Sequence, residues 1–350
     1  MPDPEIRLLQ AIAGGERGGA EAFAVRLAGA FERAGLSQRM LARRGRPWVA
    51  EMRAASVDLV ELPFGGMLDL STRRGFARQI ADFKPTHVLT WMNRATRFCP
   101  RSRPAQPFVH LARLGGYYKL GNYRHCDHLI GNTPDLVGYM CDGGWPDERA
   151  HYLPNFVDAT PAPPVERVSL DTPDDVPLLL ALGRLHRNKG FDILLNAVAR
   201  VPGAWLWVGG EGALRGDLEA LARRLGISDR VRFLGWRDDV PALLAAADVF
   251  ICSSRIEPLG NIVIEAWAHR TPVVAAAAEG PGHLIVPGES GLLVPLEDAE
   301  ALATSVTTLL ENPSLVARLA EAGRQAYEAA YTEEAVVAHY LELFRRTARA

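Results

Sequence analysis

Short apolar runs alternate along the chain with stretches of helical period. Residues 6–13 form an apolar run that ends at Gly14-Gly15, as a buried parallel strand does. Beyond Gly18-Gly19, apolar positions fall at Ala20, Phe23, Val25, Leu27 and Phe31, which predicts a helix. Further strands are predicted at 57–62, 87–92, 108–111 and 128–130, with helical stretches near 70–83 and 134–141. The rhythm returns at 178–182, 205–208, 231–234, 248–252 and 273–276, and from Asp298 onward the pattern is helical. Alternation of this kind predicts parallel sheets with helices on both faces. Between the two halves, residues 159–177 hold several prolines and acids with no apolar period. They read as a linker, so a first domain over 1–157, a linker over 158–177 and a second domain from 178 are expected.

Composition agrees with two domains of ordinary size. The chain has 350 residues, 48% of them hydrophobic, enough for two substantial cores. No apolar run reaches the roughly 18 residues of a membrane span. The start, Met1-Pro2-Asp3-Pro4-Glu5, is acidic and unlike a signal peptide. Cys99, Cys126, Cys141 and Cys252 form no C-x-x-C pair. Neither a disulfide framework nor a zinc site is indicated, and a reducing cytoplasm fits best. Charge is uneven: residues 1–157 carry 21 Lys and Arg against 15 Asp and Glu, a net +6, whereas 158–350 carry 18 against 26, a net −8. The arginines cluster, with Arg39, Arg43, Arg44 and Arg46 in one segment and Arg94, Arg97, Arg101 and Arg103 in another.

The richest chemistry lies in Glu257-Pro258-Leu259-Gly260-Asn261-Ile262-Val263-Ile264-Glu265, after the strand at 248–252. A Pro-x-Gly turn that opens a helix leaves backbone N–H groups near Gly260 and Asn261 unpaired, a ready anion site. Two carboxylates beside an anion site conflict until the ligand is a nucleotide sugar. The diphosphate then meets the amides, one acid the ribose diol and the other the sugar hydroxyls. Without a ligand the same residues are a helix with one acid near its N-terminus and one solvated acid. Upstream, Gly183-Arg184-Leu185-His186-Arg187-Asn188-Lys189-Gly190 turns at the end of the 178–182 strand. There Arg184 could hold a diphosphate through its planar fork and Lys189 as a point charge; the plain alternative is a pair of solvated cations. Gly18-Gly19 and Gly209-Gly210-Glu211-Gly212 are further strand-to-helix turns able to approach a ligand closely. No G-x-G-x-x-G follows the first strand of either half, which counts against a dinucleotide enzyme. Asn93, Arg94 and His110 fall at predicted strand ends, where such sheets bind ligands. The loop from Arg113 through Tyr117 to Lys119 mixes aromatic and cationic groups, suited to a sugar acceptor or to a surface role.

An acid followed seven residues later by a second acid, with Pro-x-Gly after the first, resembles the signature of the retaining GT-B glycosyltransferases of the glycosyl transferases group 1 family. Gly-Arg-x-x-x-x-Lys-Gly at 183–190 and Gly18-Gly19-Ala20-Glu21 are similar to the family's donor-phosphate and N-terminal motifs. Tyr152-Leu153-Pro154-Asn155-Phe156-Val157-Asp158 resembles its exit from the first domain. The resemblance implies two doubly wound Rossmann-like α/β domains facing across a cleft. It places the donor in a domain spanning 178–326, and a C-terminal helix at about 327–346 completing the first. It implies retaining, metal-independent transfer of a sugar from a nucleotide diphosphate, UDP or GDP, to a glycan or glycolipid hydroxyl in surface polysaccharide or lipopolysaccharide synthesis. No further cofactor and no nucleic acid are implied.

On this resemblance Arg184, Lys189 and the amides of Leu259, Gly260 and Asn261 stabilise the leaving diphosphate. Glu257 holds the sugar, Glu265 the ribose, and Trp236 lies near the base. Gly18, Gly19, Gly183 and Gly210 line the donor, and His110 positions the sugar. Asn93, Arg94, Tyr117 and Lys119 are acceptor-side candidates. Metal ligands are not expected, since no Asp-x-Asp occurs. The segment Glu279-Gly280-Pro281-Gly282-His283 departs from the family's Gly-Gly loop with Pro and Glu, placing His283 near the acid's position. The basic first domain suggests an anionic acceptor met at the inner face of a membrane, by peripheral contact from the cytoplasm. A sugar-nucleotide epimerase or hydrolase of the same fold, and a catalytically silent nucleotide-sugar-binding subunit, are the rival readings.

Overall fold

A computed structural model describes residues 6–348 apart from Arg17 and Met67, so the acidic start lies outside the described residues. The chain divides into two compact units. One takes the residues up to Asn155 together with those from Glu333 onward; the other is Phe156–Thr332.

The first unit carries β1 (Arg7–Ile12), β2 (Ser37–Arg43), β3 (Leu59–Leu62), β4 (His87–Trp91), β5 (Val109–Arg113), β6 (His128–Gly131) and β7 (Ala150–Tyr152). They form one sheet in the order β3-β2-β1-β4-β5-β6-β7, and every pairing is parallel. β4 and β5 are buried along their whole length, as strands covered by helices on both faces must be. β2 escapes an apolar-pattern reading because it buries Gln38. That amide is held from both sides: Gln10 Nε2 donates to Gln38 Oε1 at 2.8 Å, and Gln38 Nε2 donates to the Ala28 carbonyl at 2.7 Å. Trp91 Nε1 donates to Gln10 Oε1 at 3.0 Å, so the polar groups are satisfied inside the core.

The second unit carries β8 (Leu178–Leu182), β9 (Trp205–Gly209), β10 (Val231–Gly235), β11 (Val249–Cys252), β12 (Val273–Ala276) and β13 (Leu292–Val294), in the order β10-β9-β8-β11-β12-β13. All pairings are again parallel. Alternate residues of β8 feed opposite cores. Leu179 and Ala181 pack with Val208 and Ile251, while Leu178 and Leu180 pack with Trp207, Phe250 and Trp267. The 159–177 stretch, expected as a linker, lies against this unit. Val165 N donates to the Ala242 carbonyl at 3.2 Å, and Arg167 reaches both the Ala246 carbonyl and Asp248.

The helical tail beyond Asp298 is three helices, Ala299–Leu310, Pro313–Ala330 and Glu333–Thr347, and the stretch 327–346 expected as one helix spans the end of the second and most of the third. Glu333–Thr347 is the one that belongs to the first unit. Tyr340 and Phe344 pack on Phe31, and Arg33 pairs with Glu333 at 2.6 Å. Each sheet reverses its strand order once, between β1 and β4 and between β8 and β11. In open α/β sheets ligands bind beyond the carboxyl ends of the strands at such a switch.

His87, wholly buried on β4, stacks 5.3 Å from Phe344, and burial lowers its pKa to about 4. The unfolded chain takes up a proton near pH 6.5 that the folded chain refuses until about 4. His87 therefore favours folding above pH 6.5 and progressively loses that advantage as pH falls toward 4. The melting temperature of the native protein should fall across this window faster than that of His87→Leu. Parallel curves for the two proteins would exclude this linkage.

Candidate active site

Two turns meet beyond the carboxyl ends of the adjacent strands β8 and β11. The first, Gly183 to Gly190, ends in a short 3-10 turn, Arg187–Lys189. The second, Ser253 to Gly260, leads into the helix Asn261–Ala268. Their approach depends on Gly190, whose φ is +64° and whose added Cβ would sit 2.0 Å from the Ser253 carbonyl oxygen. Ser253 Oγ donates to the Lys189 carbonyl at 3.0 Å. The amides of Arg255 and Ile256 donate to the Asn188 carbonyl at 2.8 and 3.1 Å. Arg255 latches the outside of the junction by pairing with both Asp192 and Glu297, which holds the Asp192 carboxyl below its ordinary range.

This junction brings Lys189 and Glu257 together. Lys189 Nζ forms an ion pair with Glu257 Oε2, and Ser254 Oγ donates to the same oxygen at 3.4 Å. The Glu257 side chain is 11% exposed and that of Lys189 26%, so the pair sits at the floor of the turns. Glu257 Oε1 has no hydrogen bond among the described residues. Arg184 is exposed and makes neither a hydrogen bond nor an ion pair with any described residue. The helix Asn261–Ala268 starts at Gly260, in the left-handed region at φ +67°, with no side-chain cap. The Val263 amide donates to the Gly260 carbonyl at 2.8 Å, while the amides of Asn261 and Ile262 lie ahead of the first intrahelical bond, and the helix dipole presents positive charge at that end. Glu265 is half-buried on the same helix.

The neighbouring loops stack on this floor. Gly210, at φ +130°, passes so close that a Cβ would lie 2.0 Å from the Gly183 carbonyl oxygen. The amides of Gly183, Leu185 and Gly210 donate to the carbonyls of Gly209, Glu211 and Gly235 at 2.9, 2.8 and 2.7 Å. Beside them lies a cavity of about 280 Å³ with Arg184, Glu211, Trp236 and Arg237 on its wall. Trp236 is 73% exposed, with its indole N–H on Asp238 at 2.7 Å. Gly280 packs over the Glu257–Gly260 turn and donates its amide to the Glu257 carbonyl at 2.7 Å. His283 lies exposed on the helix Glu279–Leu284.

In the first unit, Gly18 and Gly19 begin the helix after β1, but their turn closes over a buried residue of the chain itself. The carboxylate of Glu21, 8% exposed, accepts the Gly15 amide at 2.7 Å. Asn93 and Arg94 stand just past β4, after Met92 at φ +58°. Tyr117 and Lys119 are exposed on the loop after β5, with Tyr117 edge-on to Tyr139 at 5.2 Å.

The structure corrects the placement of His110. β5 runs on to Arg113, so His110 is its second residue and not its end. The ring is buried, with Nε2 3.0 Å from Thr90 Oγ1, and burial lowers its pKa to about 4. It is an internal hydrogen-bonding group. Arg113 likewise leaves the acceptor loop for the core. It donates to Tyr340 Oη at 2.7 Å and Asn155 Oδ1 at 2.8 Å, between the rings of Phe23 and Trp91. Ser253, Ser254 and Arg255 were not singled out from sequence. Their place between a buried strand and an acid-bearing turn is the signal that could have found them.

A family profile described as glycosyl transferases group 1 matches residues 164–326. Over 341 residues the chain is 38% identical to the lipopolysaccharide core biosynthesis glycosyltransferase LpsE of Rhizobium meliloti (strain 1021), covering 94% of this chain and 96% of that protein. The chain belongs to the glycosyl transferases group 1 family. A second relative of this glycosyltransferase, LpsD of the same organism, is named for the same pathway and is 35% identical over 338 residues, covering 95% and 96% of the two chains. Anabaena Alr3699/HepE, solved in complex with UDP, matches with a TM-score of 0.84 at 19% identity, covering 97% of this chain and all of its own. That likeness establishes the GT-B fold of two parallel-sheet α/β domains.

Gly190→Ala should weaken the enzyme's second unit. A left-handed non-glycine residue costs roughly 1–2 kcal/mol, and the contact with the Ser253 carbonyl adds to it. A fall in melting temperature of at least about 3 °C is expected, with donor binding weakened more than stability alone explains. An unchanged melting curve would show that the two turns do not depend on this approach.

Proposed function

We propose that this glycosyltransferase moves a sugar from a nucleotide diphosphate to a hydroxyl of a glycan or glycolipid, with retention of anomeric configuration and without a bound metal. The observation that carries the reading is the convergence of Lys189, Glu257, unpartnered Arg184 and the uncapped helix at Asn261 on one sheet switch point. Two cations and a set of amides suit a diphosphate, and a carboxylate held among them suits sugar hydroxyls. The nucleoside would extend along the β9 and β10 loops, with Glu265 on the ribose and Trp236 beside the base. UDP, which the Anabaena neighbour binds, and GDP are the two donor classes considered. The names of the two Rhizobium relatives favour an acceptor in the lipopolysaccharide core. The basic first domain suits an anionic acceptor and salt-sensitive contact with the membrane face from the cytoplasm.

Transfer breaks the bond between the anomeric carbon and the diphosphate oxygen and forms one to the acceptor hydroxyl oxygen. Retention places the hydroxyl on the side from which the diphosphate departs, so that a diphosphate oxygen can take its proton. Negative charge grows on the diphosphate as the bond breaks. Arg184, Lys189 and the helix amides are already oriented to meet it, a stabilisation that needs no rearrangement at the moment of reaction. Glu257 anchors Lys189 through Oε2 and offers Oε1 to a sugar hydroxyl.

Arg184→Ala and Lys189→Ala should each lower turnover by about 10²–10³-fold, measured as nucleotide release dependent on acceptor. Glu265→Gln should chiefly raise KM, whereas Glu257→Gln should also reduce kcat. Alanine variants within a few-fold of the parent would remove the cations from the mechanism.

NMR of the product formed in EDTA should show the donor's anomeric configuration. Inversion or strict Mg²⁺ dependence would overturn the retaining, metal-independent reading, and nucleotide release with no transfer would favour a hydrolase.

A further inference from the structure

Past the end of β4 the first unit has a cavity of about 450 Å³, bordered by Arg73, Arg94 and Arg97 with Asn93, Phe98 and the glycines at 65 and 66. We propose that this cavity is a subsite for a phosphomonoester carried by the acceptor, gripped by Arg73, Arg94 and Arg97. The proposal rests on the reading of this unit as the acceptor side.

The partners of the arginines separate these three from their neighbours. Arg33, Arg39 and Arg53 in the same unit are each paired with carboxylates. Arg73, Arg94 and Arg97 have no hydrogen bond or ion pair with any described residue; Arg73 only lies 5.7 Å over the Phe98 ring. The acid of the adjoining loop, Asp69, is engaged locally, accepting the Gly65 amide at 2.8 Å and the Thr72 amide at 2.9 Å. It forms no ion pair with the three guanidinium groups. Cations gather further along the same side. Burial lowers the pKa of Arg43, and the charges of Arg46 and Arg94 lower it further. Arg46 differs from the three, since its Nη1 pairs with Glu16 at 3.5 Å, although its Nε is buried without a hydrogen-bond partner among the described residues.

Like charges brought together around an open space are offset by a counter-charge supplied from outside. A phosphomonoester carries nearly two charges at neutral pH and three acceptor oxygens, which several planar guanidinium forks can share. A carboxylate offers two oxygens and one charge. The volume lies within the range of about 300–1,000 Å³ usual for ligand sites, enough for a phosphoryl group and part of its sugar. Phe64 at φ +45° and Met92 at φ +58° precede the two cavity-lining segments. Left-handed non-glycine residues are strained and tend to mark ligand sites. The site is also not the sequence cluster it overlaps, since Arg101 turns to His125 at 3.0 Å.

Calorimetric titration of the full chain with glucose 6-phosphate, glucose and inorganic phosphate tests this. Glucose 6-phosphate should bind in the millimolar range or tighter, inorganic phosphate should compete with it, and glucose should give no signal. Arg94→Gln and Arg97→Gln should each weaken binding about tenfold, and the triple variant with Arg73→Gln should abolish it. Bound sugar phosphate should protect these arginines from phenylglyoxal, read by mass spectrometry. The thermal shift given by UDP or GDP, whichever the parent protein binds, serves as a folding control and should be the same in all variants. A parent protein that ignores both UDP and GDP but binds the sugar phosphate at these arginines would defeat the donor reading alone. Equal affinity for glucose 6-phosphate in parent and triple variant would overturn the subsite. So would loss of binding to phosphatidylglycerol vesicles in the triple variant when the parent does not bind the sugar phosphate, which would assign the arginines to a lipid headgroup.

Discussion

The ion pair between Lys189 and Glu257 joins the ends of two strands whose residues are 68 apart in sequence. An exposed pair on this protein, such as Arg270 with Glu321 at about half exposure each, contributes about 0–1 kcal/mol. The Lys189–Glu257 pair is largely withdrawn from water. Removing one member leaves the other poorly solvated, at a cost that approaches several kcal/mol for a fully buried pair and is reduced here by the exposure of Lys189. The junction is accordingly built from many restraints. The Gly190 backbone touches the Ser253 carbonyl, Arg255 binds an acid on each side, and Gly280 closes over the turn. All of them hold Glu257 with Oε2 occupied and with Oε1 making no hydrogen bond among the described residues, the oxygen that the proposed function gives to the sugar.

Two arginines, one buried in the first unit and one exposed in the second, separate architecture from chemistry. Arg113 is 2% exposed, yet its guanidinium meets no carboxylate among the described residues. It is held by a phenol, an amide oxygen and two ring faces, partners that also fix Tyr340 and therefore the C-terminal helix. Every contact is internal, so Arg113 is a tie within the first unit. Arg184 is the reverse case. It leaves a turn whose backbone is bonded through Gly183, Leu185, Lys189 and Gly190, and it has no hydrogen bond or ion pair with any described residue. A cation without a counter-ion on a rigid base is one the fold has not used.

The alternation of elements and the second unit's turns were legible from sequence because their causes are local. Apolar runs of strand length mark β8, β9 and β11, and Gly-Arg to Lys-Gly and Glu-Pro-Leu-Gly mark turns whose glycines have steric reasons in place. β2 was not legible, since its buried Gln38 is satisfied by Gln10 from another strand, a long-range fact. His110 was misplaced for a related reason. The polar residue looked like the end of a strand, whereas Thr90 across the sheet supplies the bond that lets an imidazole remain inside. Arg113 looked like part of an aromatic, cationic loop because no local pattern reveals that Asn155 and Tyr340 come to meet it.

The same distinction explains why the turns of the second unit could be read as a motif and the arginine cavity of the first could not. A diphosphate site of the proposed kind needs backbone amides and cations at fixed offsets along one chain segment, so it would leave a linear trace. The arginine cavity of the first unit draws Arg73 from one helix and Arg94 and Arg97 from another, around a glycine turn that neither helix predicts. Sequence shows only the surplus of positive charge over residues 1–157 and two arginine-rich segments. Folding sorts those arginines into three uses. Arg39 is neutralised by Asp58 and Asp82, Arg101 turns to a histidine, and Arg73, Arg94 and Arg97 surround an open space. Net charge predicts attraction between a domain and an anionic partner; the pairing of individual guanidinium groups determines where on the domain that attraction becomes a contact.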